Sequence, residues 1–461
     1  MICSGIINKS EILNYSLVAI LLSILTCLFS FCFSDNIILY SLPIIISALV
    51  VMFYNVNLSI SVGIVFMFIN LSFSVYFMSQ LFFLFAGISY LFFHKIEIRK
   101  FKTSFTSYFM VYFISIIPSY YNSFGCIQSY LKTFYLFIFL LTFVVVSLHY
   151  TKERIEKLFD LFVVMSFINA LHVIYLFLTE GGRPFGFTGV IYCDLSGLSL
   201  VISYYKILTR KNLFVNIICT LTIFLAHLFT QTRNSTISVI ITLLALSFFY
   251  IVNHKKYGYT FRGASLRISK IVLCVVTVFL SIIISNGNIL SRVSDNNDVS
   301  TEEMAASIGF IGSLATRIFI WNTAYNAFKE HPLIGIGVYS FPYTSKQYNN
   351  LDDLLYSAYV KDAAPHQTEI AVLTETGILG LTGFLIFFSL TYRKIWSLIK
   401  KISDLNSWIQ YVLVVFLNVY LFFAMLMSDY LSYGNTMAVW GFVLSLAVFY
   451  DRFVENDTHE V

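Results

Sequence analysis

With 461 residues, of which 58% are hydrophobic and only 11% are charged, the chain has the composition of a protein that crosses a membrane many times. Its net charge of +5 is small and spread along the chain, so nucleic acid is not an expected partner. The seven cysteines lack the CxxC and CxxH spacings of zinc sites, and the sequence predicts neither a metal site nor a cofactor.

Apolar runs long enough to span a bilayer recur along the whole chain. They lie at 12–33, 37–54, 104–120, 127–148, 158–179, 190–208, 213–230, 234–252, 271–285, 370–391, 408–427 and 435–450. The uncharged stretch 56–93 adds two helices, or one long helix with a re-entrant piece. The predicted fold is therefore all-α, a polytopic integral membrane protein with about 12–14 transmembrane helices. Its predicted parts are N-terminal transmembrane helices at 1–285, a large loop at 286–369, and C-terminal helices with a short cytoplasmic tail at 370–461.

Basic residues accumulate in segments between the predicted helices, at 95–102, 152–157, 206–211, 255–270 and 393–401. If successive helices alternate in direction, all of these segments fall on one side, which the positive-inside rule makes cytoplasmic. Both termini are then cytoplasmic. The opposite, periplasmic side holds short turns and the long polar loop, which contains a predicted amphipathic helix.

Several cations lie on the outward side, where the positive-inside rule disfavours them, and binding of an anion is a natural reason. Arg183 lies in a glycine-rich turn at 181–189, whose backbone amides can approach an anion closely. Arg233 lies in a polar segment at 230–235 between two apolar helices. The alternative for Arg233 is an interfacial arginine that reaches lipid phosphates.

The long loop contributes a further arginine and a histidine. The pattern predicts a helix at 316–330 whose apolar face carries Ile318, Ile320, Trp321, Ala324, Tyr325 and Phe328. Arg317 lies in the middle of that face and is expected to point inward, with bending back to water as the alternative. His366 follows Pro365 just before the next apolar helix. A neutral imidazole there can serve as a general base, although a lone histidine is more often structural.

Short motifs follow one another in a recognisable order: Arg-Pro-x-Gly-Phe at 183–187, Thr-Gln-Thr-Arg at 230–233, Ser-Leu-Ala-Thr-Arg and a Trp at 313–321, His-Pro-Leu-Ile-Gly-Ile-Gly at 331–337, and Pro-His-Gln-x-Glu then Glu-Thr-Gly-Ile-Leu-Gly-Leu at 365–381. From Arg183 to Asp429 the chain resembles the O-antigen ligase and polymerase superfamily of bacterial inner-membrane glycosyltransferases. The family often has Asn after Pro-His, where this chain has Gln367.

The resemblance implies metal-independent transfer of a glycan from an undecaprenyl-diphosphate carrier, among membrane lipids, on the periplasmic face. It assigns the diphosphate to Arg233 and Arg317, with Arg183 as a weaker addition, and activation of the acceptor hydroxyl to His366. Direct displacement would invert the anomeric carbon. The acceptor is lipid A-core in the ligase branch, which the motifs favour, or another lipid-linked repeat unit in the polymerase branch. A lipid-linked oligosaccharide flippase is a third alternative, for which short loops on both sides would be expected.

Overall fold

The computed structural model describes residues 56–68, 102–123, 136, 139–140, 143–144, 146–180, 184–186, 191–230, 232–269, 301–431 and 434–459. The described residues contain helices and no strand, which confirms the predicted all-α fold. The predicted spans 12–33, 37–54 and 271–285, most of 127–148, and Arg183 lie outside the described residues. The count of 12–14 spans and the three-part division of the chain therefore stay predictions.

The α-helices are numbered here in chain order. They are α1 Val56–Met67, α2 Ser104–Ile116, α3 Lys152–Thr179, α4 Tyr192–Leu208, α5 Leu213–Phe229, α6 Arg233–Val252, α7 Thr301–Glu330, α8 Phe341–Thr344, α9 Asp353–Tyr359, α10 Thr368–Lys401, α11 Leu405–Met427 and α12 Gly434–His459. Among the described residues, five helices are long and apolar enough to cross a membrane: α3, α6, α10, α11 and α12. The prediction of a multi-pass membrane protein is thereby confirmed.

Ion pairs join several helices where the basic segments meet, at an end of the bundle that we call the basic end. The pairs are Lys152–Asp404 at 3.3 Å, Lys211–Glu156 at 2.8 Å, Lys394–Asp451 at 2.7 Å, and Lys206–Asp160. They bring together the starts of α3 and α11 with the ends of α4, α10 and α12. The helices therefore alternate in direction as the basic segments predict.

Three helices that start at the basic end carry capping side chains, whereas α5, which also starts there, does not. Hydroxyl oxygens of Thr103 and Thr151 and a carboxylate oxygen of Asp404 accept from backbone N–H groups three residues ahead, at 3.1, 3.3 and 3.0 Å. Each cap satisfies an N–H group that the helix itself leaves without a partner. These caps explain why α2, α3 and α11 begin where they do.

The bundle is held together mainly by aromatic and aliphatic side chains. The Phe109 ring of α2 packs edge-on against Phe387 of α10, with centroids 5.6 Å apart. Nearly every side chain of α4 is buried, so α4 is a central helix of the bundle. At the opposite end from the basic residues, which we call the loop end, the segment 301–367 contacts α10 and the end of α11.

The polar loop is a folded unit with its own small core. The buried core side chains are Ile320, Ala324, Ala327, Ile336, Phe341, Tyr348, Tyr356 and Val360. The amphipathic helix exists, but α7 starts at Thr301 rather than near 316. Ile318 and Tyr325 are 52% and 55% exposed, so the small core of the loop uses only part of the predicted apolar face. Small residues line the packed side of α7 because they let the short helices that follow approach closely.

A glycine-rich turn fastens this loop to α10. Gly335 and Gly377 have φ angles of +69° and +65°. A Cβ atom on either glycine would collide with the backbone of the opposite segment. Four backbone hydrogen bonds of 2.9 to 3.2 Å join 332–337 to 374–379. Since α10 begins at Thr368, this turn lies beside the second and third turns of a membrane-spanning helix.

Candidate functional site

Two helix termini and one arginine side chain meet at the backbone carbonyl of Met427, the last residue of α11. Its oxygen accepts a hydrogen bond from Asn234 Nδ2 at 3.1 Å and one from Arg317 Nη2 at 3.5 Å. Asn234 directly follows Arg233, which is the first residue of α6. The start of α6 and the side chain of Arg317 therefore converge on one atom. The side chain of Arg233 and all of Arg183 lie outside the described residues.

Arg317 is a half-buried cation at this meeting point. Burial lowers the pKa of its guanidinium below the ordinary value, although arginine stays protonated in proteins. Among the described carboxylates, none lies within ion-pair distance of Arg317. A charge withdrawn from water without a counterion is unfavourable, and an anionic ligand would offset that cost.

His366 is held in a conformation that L-residues seldom adopt, with a φ angle of +56°. Two contacts fix the neighbouring backbone. Trp321 Nε1 donates to the Pro365 carbonyl at 3.0 Å, and Thr368, the first residue of α10, is fully buried. Left-handed backbone at a residue other than glycine is costly and tends to occur at functional sites. The strain identifies this position as a site candidate independently of any motif.

The electrostatic surroundings of His366 favour a neutral imidazole. Burial lowers its pKa first, and the positive charge of Arg317 lowers it further. The carboxylate of Asp429 acts in the opposite direction and raises the pKa. The net shift is downward, so the ring remains an available base below its ordinary range. Arg317 and His366, which are 49 positions apart in the numbering, are thus electrostatic neighbours.

Asp429 is a member of this site that the sequence did not single out as one. The hydroxyl of Thr368 donates to the Ser428 carbonyl at 2.9 Å and accepts from the Tyr430 N–H at 3.0 Å. These two bonds fix the segment after α11 against the start of α10. Asp429, between them, is only 4% exposed, and its Oδ1 accepts from the Leu431 N–H at 3.0 Å. Only the tertiary pairing of the two segments brings it near His366.

Three helix starts at the loop end have no side-chain cap, although α9 of the loop is capped by Asp352. The residues that precede α4, α6 and α10 are Ile191, Thr232 and Gln367, and none of them makes a side-chain capping bond. The Thr232 hydroxyl instead donates to Cys193 Sγ at 2.9 Å. Uncapped N–H groups and the positive end of the helix dipole both favour an anion. Two of these starts, those of α6 and α10, flank Arg317 and His366.

Acidic residues of the loop itself have other roles. Asp352 caps α9 by accepting from the Leu355 N–H at 2.8 Å, and Asp353 pairs with Lys346 at 3.3 Å. Both aspartates are exposed, as is Asp362, which agrees with a solvated acidic loop. Within the described part of the chain, no cluster of three or more His, Cys, Asp or Glu side chains could hold a metal ion.

The arrangement combines two chemical capacities in one place. A guanidinium group and open helix starts can bind an anion that carries two or more negative charges. A neutral imidazole beside them can accept a proton from a hydroxyl group. These capacities suit a reaction in which a hydroxyl displaces an anionic leaving group.

Comparison with known proteins identifies the segment that contains these groups. No curated protein matches the chain. Residues 218–385 match the family described as O-antigen ligase, and this segment includes Arg233, Arg317 and His366. The match supports a glycosyltransferase-like enzyme of the O-antigen ligase or polymerase type, which acts on lipid-linked glycans in a membrane. Over residues 218–385 the chain is thus similar to the O-antigen ligase family, which confirms its resemblance to the O-antigen ligase and polymerase superfamily.

Proposed function

We propose that the protein is an O-antigen ligase, which transfers O-antigen glycan from undecaprenyl diphosphate to lipid A-core on the periplasmic face of the bacterial inner membrane. The observation that carries this proposal is the convergence of Arg317, the start of α6 and His366 around Met427 and Asp429. The alternative within the same superfamily is an O-antigen polymerase that joins lipid-linked repeat units.

The proposed leaving group is undecaprenyl diphosphate, whose negative charge grows as the glycosidic bond breaks. Arg317 and Arg233 bind its oxygens through their planar guanidinium groups, with Arg183 as a weaker addition. The open start of α6 adds backbone donors. Loss of one such contact removes about 3 kcal/mol of transition-state stabilisation. In this mechanism the guanidinium groups stabilise the negative charge of the leaving diphosphate, the role that a metal ion has in metal-dependent transferases.

The proposed nucleophile is a hydroxyl group of the acceptor glycan, and His366 is the base. As the acceptor oxygen forms its bond to the anomeric carbon, the bond from that carbon to the diphosphate oxygen breaks. The hydroxyl proton moves to the unprotonated ring nitrogen of His366 and then to water. Attack from the face opposite the diphosphate inverts the anomeric carbon. The lowered pKa of His366 keeps the ring unprotonated at the start of each cycle.

Lipopolysaccharide gels of a deletion strain test the function. If the protein is the ligase, the strain loses all O-chain on lipid A-core and retains polymer on the lipid carrier. A core that bears a single repeat unit would favour the polymerase instead. A strain with normal lipopolysaccharide and no lipid-linked polymer would contradict both.

Complementation of that strain with arginine variants tests the diphosphate assignment. Arg233→Ala and Arg317→Ala should each abolish detectable O-chain at equal expression, while lysine at either position restores transfer only in part because it lacks the planar fork. Added chelator should leave transfer by the wild type unchanged. Near wild-type O-chain in an alanine variant would remove that residue from the assignment, and chelator inhibition reversed by a divalent cation would contradict the metal-free mechanism.

Cysteine labelling tests the proposed location of the site. Lys346 lies exposed in the loop, and Lys256 lies exposed near the basic end. In intact spheroplasts, a membrane-impermeant thiol reagent should label Lys346→Cys and spare Lys256→Cys until the membrane is opened. Labelling of Lys256→Cys alone would reverse the proposed topology.

A further inference from the structure

Glu369, in the first turn of α10, has one carboxylate oxygen with partners and one without. The Gln367 side-chain amide and its own backbone N–H hydrogen-bond the carboxylate. The second oxygen, Oε2, is buried and has no hydrogen-bond partner. An acidic residue at a helix start commonly binds backbone N–H groups, which accounts for the first oxygen. It does not account for the second, because an ordinary capping carboxylate keeps its free oxygen in water.

Glu369 belongs to the same electrostatic neighbourhood as His366. The charge of Asp429 acts on the carboxyl group of Glu369 and on the imidazole of His366. The hydrogen bonds of Thr368 to the segment at 428–430 hold Asp429 in this position. Glu369, three residues after His366 along the chain, therefore belongs to the part of the site where an acceptor hydroxyl must arrive.

The chemistry of the proposed substrates limits what can approach this oxygen. A diphosphate is repelled by a carboxylate and is drawn instead to the arginines. No described cation forms an ion pair with Glu369. A sugar presents neutral O–H donors, and a buried carboxylate oxygen is a strong acceptor for them. A site built to bind a hydroxyl discriminates strongly against ligands that lack it, because the buried acceptor is then left unpaired.

We propose that Glu369 binds a hydroxyl group of the acceptor glycan and thereby selects the acceptor. The inference rests on the proposed function and adds to it a specificity residue on the acceptor side. Gln367, which stands where the family often has Asn, reaches the Glu369 carboxyl and orients it. The Gln367–Glu369 pair thus gives this chain its own acceptor contact beside the shared base.

Kinetics of the purified full-length protein test the proposal, with rough lipopolysaccharide as the acceptor and the lipid-linked O-glycan of the same strain as the donor. Glu369→Ala should raise the KM for the acceptor about tenfold or more, the usual loss for a hydrogen bond to a charged group. The KM for the donor and kcat should stay unchanged. Glu369→Gln keeps an acceptor oxygen and should fall between the wild type and Glu369→Ala. Asp353→Asn, a carboxylate-to-amide change on the exposed face of the loop, should match the wild type.

The possible outcomes separate this inference from the proposed function. An unchanged acceptor KM, a raised donor KM, or a loss confined to kcat would overturn the role of Glu369 while transfer by the wild type still stands. Absence of transfer by the wild type would overturn the proposed function and this inference with it. If Glu369→Ala does not fold, Glu369→Gln decides alone. A raised acceptor KM with an unchanged donor KM supports the proposal, and two unchanged values contradict it.

Discussion

The two ends of the helix bundle treat their charges differently. At the basic end, four lysines pair with carboxylates across helices, and three helix starts are capped by side chains. At the loop end, Arg317 contacts only a carbonyl oxygen among the described residues, and three helix starts have no side-chain cap. At the basic end, each of these four lysines has a carboxylate partner within the protein. At the loop end, Arg317 has no such partner among the described residues, which is the property expected of a site for an anion.

Replacement of histidine at the two ends should have very different effects. His366→Ala should lower the rate of transfer by about 10²–10⁴, because it removes the base. Binding of the lipid-linked donor should stay nearly intact, because the arginines bind the diphosphate. His254→Ala is the matched control at the basic end, where His254 Nδ1 contacts the Ile251 carbonyl at 2.9 Å. Transfer assays at equal expression give both rates, and full turnover by His366→Ala would refute its role.

Two glycine-to-alanine variants distinguish the effect of the close backbone contact between the loop and α10 from the effect of a positive φ angle alone. Gly377 and Gly258 both have positive φ angles, of +65° and +75°. A Cβ atom at Gly258 would meet nothing within 4 Å, whereas one at Gly377 would collide with the backbone of Leu333 and Ile334. We expect Gly258→Ala to cost about 1–2 kcal/mol and Gly377→Ala roughly 2–5 kcal/mol, with loss of transfer. Thermal unfolding and transfer assays measure this, and equal unfolding temperatures would show that the close approach is unimportant.

The pH dependence of transfer should reflect the pKa of His366 at the loop end. Burial and Arg317 both disfavour the imidazolium form of His366, so its pKa lies below the ordinary value of about 6.5. Transfer should therefore persist below that pH and fall only as the pH drops through the lowered pKa. Asp429 favours the imidazolium, so Asp429→Asn should move the acid limb to still lower pH. An acid limb at or above pH 6.5, or a shift upward in the variant, would contradict this arrangement.

The smallest effect is expected for a paired cation at the basic end. Lys211 and Glu156 form an ion pair whose side chains are 47% and 42% exposed. Because water screens such a pair, Lys211→Ala should change the free energy of unfolding by less than about 1 kcal/mol. Transfer should be unchanged. A large loss of transfer in this variant would contradict the distinction between paired cations at the basic end and a substrate-binding cation at the loop end.

The sequence predicted the framework of the molecule because the relevant signals are local. Apolar runs gave the bounds of α5, α6 and α11 to within three residues, and the basic segments gave the alternation of helix directions. The start of α7 at Thr301 was not predicted, because 301–315 shows no regular apolar stripe. The sequence did not predict which part of that apolar face enters the small core, because the packed side of α7 depends on the short helices that follow it.

Only those members of the candidate site that carry a local sequence signal were predicted. Arg317 and His366 were identified from their positions and motifs, and the structure brings them together. The role of the Met427 carbonyl, the approach of Asp429 and the buried oxygen of Glu369 depend on the pairing of two segments about 60 residues apart. No local sequence pattern predicts such a pairing. The assignments of Arg233, Arg317 and Arg183 to the diphosphate, and of His366 as the base, stay predictions.

Binding of undecaprenyl diphosphate to the purified protein tests the central claim most directly. The wild type and Lys211→Ala should bind the lipid equally well, because the cation at the basic end already has its partner. Arg317→Ala should bind it at least about tenfold more weakly, the loss expected for a charge-assisted contact. Undiminished binding by Arg317→Ala, or an equal loss in both variants, would contradict the account that the loop end is an anion site awaiting its substrate.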